Sequence, residues 1–416
     1  MIIKLVVATL AVSLALLSLK SALAQQEEPL PLGQTFRPEE RWQRVFVKPG
    51  DRVTAEDSRI SQRKDYTPRF AFPKPEIRVA SLSAAQFEMD GMSAVTLKAI
   101  VTAREKDARF APMSFSRDGR WLYILGGNNV IHKVSAKDLR QEAVLVTGAD
   151  CSDIAWTQEG LLVSVPSLLA LWILDAETLE VKKEIPVDSV DRVAASTTQT
   201  IAYAASEKGL HVVDLRHARP LYFVDAMRLP GARITHVRTW NGQIYALWAS
   251  HDGKYLFAQT VGQIHRLRIE NDHLFLEEST DLLATMGMAT YFCSSSDQNW
   301  LALPSDQYRV GANPGIAIYD RQKLDRYHLG IETGGSPLTV GFDPQTGNIY
   351  APVDNKFHIF GQRGGKIRTL ESPLTSVRRI LVHPASERVF VWSEQGLTVL
   401  DVKLPVRDNN ADERKQ

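Results

Sequence analysis

The sequence predicts an all-β fold, a seven-bladed β-propeller with an N-terminal strand closing its last blade. Three observations carry the prediction. From Phe110 onward the chain repeats about every 40 residues, a spacing that belongs to propeller blades. Each repeat holds a short strand of pattern apolar, variable, apolar, apolar, often closed by Asp. No segment after Phe110 keeps a helical period over two turns, whereas β-branched and aromatic runs recur throughout.

The closing-Asp strand is the clearest element. It reads Ala170-Leu171-Trp172-Ile173-Leu174-Asp175, Leu210-His211-Val212-Val213-Asp214, Ile316-Ala317-Ile318-Tyr319-Asp320 and Leu397-Thr398-Val399-Leu400-Asp401. Weaker copies begin at Ile131, Ile264 and Phe357, which makes seven. Upstream in each repeat lies a hairpin, such as Phe115-Ser116-Arg117-Asp118-Gly119-Arg120-Trp121, whose Gly and Asp suit a tight turn. Blades are expected to begin near Phe110, Asp150, Val190, Arg233, Gly287, Pro337 and Thr375. Blades four and five are expected to carry extra residues, at Trp248 to Gly253 and Asp306 to Asn313. Blade seven runs out at its third strand, near Asp401. The alternating segment Val95 to Val101 is expected to supply the missing fourth strand and close the ring.

The flanks read differently. Residues 1–24 have the form of a signal peptide: a weakly basic start, an apolar run from Leu5 to Leu19, then Ala22-Leu23-Ala24. The run is shorter than the roughly 20 residues that span a bilayer. An exported chain, periplasmic or extracellular, is the expectation. Residues 25–78 are polar and rich in proline, about a third charged, and without sustained periodicity. Such a segment buries too little to offset its ordering entropy, so a largely disordered arm or linker is expected, with docking on the propeller as the alternative. The propeller is expected over 79–404 and a charged tail over 405–416.

Composition excludes some functions. With 49 basic and 48 acidic residues the net charge is +1, so no global field draws the chain to nucleic acid. Cys151 and Cys293 are the only cysteines and lie on different repeats; free thiols are expected rather than a disulfide.

The hairpins Ser116-Arg117-Asp118-Gly119-Arg120 and His251-Asp252-Gly253-Lys254-Tyr255-Leu256 and the closing-Asp strands resemble those of YVTN-type and WD-repeat propellers. The resemblance covers about Val95 to Lys403. It departs from WD repeats proper, since no repeat ends in Trp-Asp. It is closer to secreted bacterial propellers of the amine-dehydrogenase-like group. That likeness implies a fold and no particular activity, because the fold hosts binding modules, lactonases and quinoprotein subunits alike.

Two constellations could carry chemistry. His132, His211, His265 and His358 share one repeat position, but third strands lie away from the propeller axis and diverge. Zinc needs its ligands at roughly 2.0–2.1 Å from one centre, so packing between blades is the expected role and no metal is expected. The innermost strands converge instead. Aligned, they set Pro112, Asp153, Arg192, His236, Thr290, Thr339 and Arg379 at one level, with Asp191 and Arg378 beside it. These charges either pair and cap the channel, or form a polar mouth. In the second case Arg192, Arg378 and Arg379 would bind an anionic group, and Asp153, Asp191 and His236 would serve acid–base work. No nucleophile elbow, P-loop, dinucleotide fingerprint or zinc-protease motif is present, and no cofactor is called for. A non-enzymatic scaffold for a protein or polymer ligand is therefore the expectation, with a lactonase or quinoprotein-like enzyme as the alternative.

Overall fold

The computed structural model describes Phe72, residues 80–81, 84–89, 92–97, 112–188, 190–196, 198–206, 209–225, 244–260, 263–281, 293–294, 299–305, 314–385 and 388–402. The residues read as a signal peptide, most of those read as an arm, His236, Thr290, Asp306 to Asn313 and residues 405–416 lie outside these residues. The chain divides into two compact units, 1–45 and 46–416, and every described residue belongs to the second.

Seven antiparallel sheets form the blades. Their inner strands are Met113–Phe115, Ile154–Thr157, Arg192–Ala195, Ala246–Ala249, Cys293–Ser294, Gly341–Phe342 and Arg379–Val382. Blades two to six take four consecutive strands each. Blade seven takes three, Arg379–Val382, Arg388–Ser393 and Gly396–Asp401, and then two from the other end of the chain, Met92–Leu97 and Ala84–Met89. Val95 lies opposite Val399, and the Thr96 and Thr398 hydroxyls meet at 2.7 Å. The closing strand thus starts at Met92, three residues before the start read from the sequence. Blade one also gains a fifth strand, Ala80–Ser81, against its outer strand Arg140–Val146.

The sequence pattern follows from burial on two sides. Middle strands touch a blade on each face, so apolar residues stand on both faces of them. In Gly160–Val165, Leu161 and Val163 pack with Tyr123 and Leu145 of blade one. Leu162 points the other way, to Ala202 and Val213 of blade three. Alternate residues of one strand therefore feed separate inter-blade cores. Truncating one such leucine to alanine costs about 2–5 kcal/mol. The outer strand Val181–Pro186, covered on fewer sides, mixes Lys182, Lys183 and Glu184 with its apolar residues.

Blade four corrects one expectation. Trp248 to Gly253 are not additional residues but the end of the inner strand and its hairpin. The Ser250 hydroxyl donates to Asp252 Oδ1 at 2.6 Å, and the Lys254 and Tyr255 amides donate to Asp252 and Ser250. Ser116, Asp118, Arg120 and Trp121 make the same bonds in blade one. The surplus residues of blade four precede Ala246, between Asp225 and Ile244.

In every blade the inner strand begins at one end of the sheet and turns back at the other. The first end, with the second turn and the exit of the outer strand, forms an entry face. The first and third turns form a hairpin face.

Candidate functional site

Of the residues aligned on the inner strands, Pro112, Asp153, Arg192, Thr339 and Arg379 each stand at the start of one or within two residues of it, towards the entry face. Pro112, Asp153, Arg192 and Thr339 are buried there, and Arg378, Arg379 and Asp191 are half-buried. In blade four the strand described at this level opens with Ala246.

Inner-strand side chains point forward, each to the backbone of the next blade. Ser114 Oγ of blade one accepts from the Trp156 amide of blade two at 3.0 Å. Asp153 Oδ2 of blade two accepts from the Val193 amide of blade three at 3.1 Å, while Oδ1 accepts from Ile154. Arg192 of blade three donates Nε to the Tyr245 carbonyl, at the entrance to blade four, at 2.9 Å and Nη1 to the Asp191 carbonyl. Cys293 Sγ of blade five accepts from the Phe342 amide of blade six. Four junctions are bridged this way. Ser114, Tyr245 and Cys293 escaped the sequence reading. Ser114 was legible in principle, two residues beyond Pro112 and so on the same face of its strand.

The electrostatics join three blades. Burial raises the Asp153 carboxyl above the usual range, and the charges of Arg192 and then Arg379 oppose that rise, with the Val193 and Ile154 amides. Burial likewise pushes the Cys293 thiol up to about 12, against the Phe342 amide and Arg379. Arg379 of blade seven therefore acts on groups of blades two and five at once. Asp153 and Arg192 are engaged in holding blades together. Arg378 differs: its Nε is buried and has no hydrogen-bond partner in the structure. Cys151 and Cys293 are free thiols.

The four equivalent histidines do not converge. Nδ1 of His132, His265 and His358 meets Gln141 Oε1, Ser279 Oγ and Thr369 Oγ1, each within its own blade. The His211 ring packs on Phe223, with centroids 4.8 Å apart, and its Nε2 is buried without a partner. Among the described residues no cluster suited to a metal ion occurs, and no helix is long and apolar enough to cross a membrane.

The two faces differ chemically. Ion pairs lace the hairpin face, among them Lys133 with Glu177, Lys182 with Asp175, Lys183 with Glu159 and Arg388 with Asp401. The entry face carries Val146, Leu169 and Leu338, exposed at 57%, 37% and 49%.

The fold defines the class: a seven-bladed β-propeller. Comparison with known proteins narrows it in part. The family model described as the cytochrome D1 heme domain matches residues 89–285, a little under half of the chain. Protein NirF of Pseudomonas aeruginosa is 25% identical over 162 residues, which is 38% of this chain and 40% of that protein. The chain thus spans about two fifths of the curated relative it matches. A chain in the crystal structure of the Mitotic Checkpoint Complex superposes with a TM-score of 0.60 at 11% identity, covering 79% of this chain and 99% of that one. The Cps50 (Swd1) β-propeller domain of Myceliophteria thermophila gives 0.57 at 13%, covering 77% of this chain and 100% of that one. At such identities the two structures speak for the fold alone.

Proposed function

We propose that this chain is an exported, non-enzymatic scaffold that receives an anionic ligand at the channel mouth on its entry face. Arg378 and Arg379 are the residues that would hold it. Arg378 carries the reading, because its Nε is buried and unbonded. A buried donor without a partner costs about 1–3 kcal/mol, and a carboxylate relieves that cost through paired N–H bonds. The exposed Val146, Leu169 and Leu338 on the same face suit a partner that is apolar apart from its acid groups, or a protein surface around the mouth.

The match to the cytochrome D1 heme domain supports a tetrapyrrole as the ligand class. Such a group needs cations for its carboxylates and a donor for its metal. The arginines fit the first need. Among the histidines whose side chains are described, four are buried in third strands, and His217, His251, His273 and His383 sit at the hairpin face. The described residues therefore fit the acid groups of a tetrapyrrole, whose bound metal would bring its redox chemistry. They offer no histidine at the mouth. Asp153 speaks for a scaffold over an acid–base enzyme, since both its oxygens are already committed to backbone amides.

Titration of the purified chain with haem, followed by absorption spectroscopy, tests the reading. A saturable spectral change is expected with about one equivalent. Arg378→Ala and Arg379→Ala are expected to weaken it at least about tenfold, the effect of losing one charge-assisted pair. Lys356→Ala, also on the entry face, is expected to leave it unchanged. A wild-type chain that shows no saturable change overturns the tetrapyrrole reading, and equal affinity in the arginine variants overturns the site.

A further inference from the structure

Blades two to six are each a continuous stretch of chain; blade seven is not. The chain runs from Met92 through all the blades to Asp401, and its two ends meet where Met92–Leu97 pairs with Gly396–Asp401. Beside that pairing, blade seven meets blade one directly: Arg388 Nη1 donates to the Ala136 carbonyl at 2.8 Å, and Phe390 and Trp392 pack with Leu122 and Ile124. The register spans four residue pairs, Ala94 with Leu400 through Leu97 with Leu397.

The strands just before it sit oddly for a mere extension of blade seven. Ala84–Met89 pairs with Met92–Leu97 and so belongs to blade seven. Ala80–Ser81, only two residues earlier, pairs with Gln141 and Arg140 on the outer strand of blade one. Phe72 stands edge-on to Trp172 of blade two, with centroids 6.1 Å apart. The hairpin 84–97 is thus a tongue anchored to blade one at both ends. One anchor is the connection into Met113–Phe115, and the other is the short ladder at Ala80–Ser81.

We propose that this tongue is a clasp on blade seven: it releases between Met92–Leu97 and Gly396–Asp401, and the Ala80–Ser81 ladder on blade one controls how readily it does so. Two anchors restrict the tongue to poses that face blade seven. Losing one lets it swing on a single connection, which raises the entropy of the open state. The inference does not depend on what the channel binds.

Amide hydrogen exchange on the full chain tests it. Ala80→Pro with Ser81→Pro removes both amide donors of the outer ladder. Exchange in Met92–Leu97 and Gly396–Asp401 is expected to quicken about tenfold or more, with Ile201–Ala205 of blade three unchanged. A second variant closes the seam covalently, Val95→Cys with Val399→Cys, at residues that lie opposite each other. In its oxidised form the two prolines are expected to lose their effect, and reduction is expected to restore it. Unchanged exchange in the two seam strands of the proline variant overturns the proposal. So does an undiminished proline effect when the seam is crosslinked, or loss of protection in blade three before blade seven.

Discussion

At His211 a residue's chemistry is decided by its surroundings. Burial pushes its imidazole down to about 4, with the Asp188 charge opposing, and burial pushes His265 down to about 3. Both are neutral at pH 7. A base with a folded-state value below its unfolded one gives stability that is complete above about pH 6.5. That stability is lost as pH falls from there towards the folded value, because the unfolded chain takes up the proton first. At pH 5 the loss is about 2 kcal/mol for each of the two. His211→Phe removes one titrating group and one buried nitrogen without a partner, and it keeps a ring against Phe223. Urea unfolding at pH 7.5 and pH 5.0 is expected to show a shallower loss in this variant; an unaltered loss would mean that His211 is not the group that titrates. Asp153 is the opposite case, a buried acid facing Arg192 and Arg379. Asp153→Ala is expected to destabilise the chain by about 3–5 kcal/mol, since it leaves buried positive charge uncompensated. Equilibrium unfolding measures this, and Asp153→Asn, which keeps an acceptor for Val193, is expected to lose less.

Turns are where the blade repeat is written most plainly, and they make a sharper test than the strands do. Gly160 has φ +135°, and a Cβ placed on it would lie 2.1 Å from the Leu174 carbonyl oxygen, in the middle of blade two. Gly148 has φ +67° with open space around it. Gly148→Ala is expected to cost about 1 kcal/mol, the strain of a left-handed alanine. Gly160→Ala is expected to cost at least about 3 kcal/mol, because the backbone of the third strand must also shift. Thermal unfolding of the two variants gives the order directly. The blades were legible in the sequence for the same reason: a turn of fixed chemistry, like that at Asp118 and at Asp252, recurs between apolar strands. The inner-strand level of Asp153, Arg192 and Arg379 was legible once the turns were aligned. Blade four slipped because its surplus residues precede Ala246, and local pattern assigned the surplus to the wrong side of the strand. Ala80–Ser81 and Ala84–Met89 left no trace in the repeat. Ala84-Ala85-Gln86-Phe87-Glu88-Met89 has no strong strand pattern, and what holds it in place lies in blades seven and one, far along the chain. The forward bonds from side chain to backbone were invisible as well, since nothing in a sequence marks which amide a serine or an aspartate will meet.

For the molecule as a whole, the faces divide the labour: one is braced by ion pairs, and the other opens on the channel. Screening acts on the two unequally. Raising salt weakens exposed pairs such as Arg120 with Asp118 but barely touches the buried Asp153 group. Unfolding in 0.1 M and 1 M salt is therefore expected to differ by no more than about 1 kcal/mol, and a larger loss would make the surface pairs, rather than the inter-blade cores, the main support of the ring. The bond between Thr96 and Thr398 joins residues 302 positions apart. A chain made from its N-terminus finishes six blades before the partner of its closing strand exists. Throughout that interval the hairpin of Ala84–Met89 and Met92–Leu97 has one edge unpaired, the kind of edge that recruits neighbours in a crowded cell. Maturation of this protein is thus a matter of timing, with the last strand to be synthesised releasing one of the first from its wait.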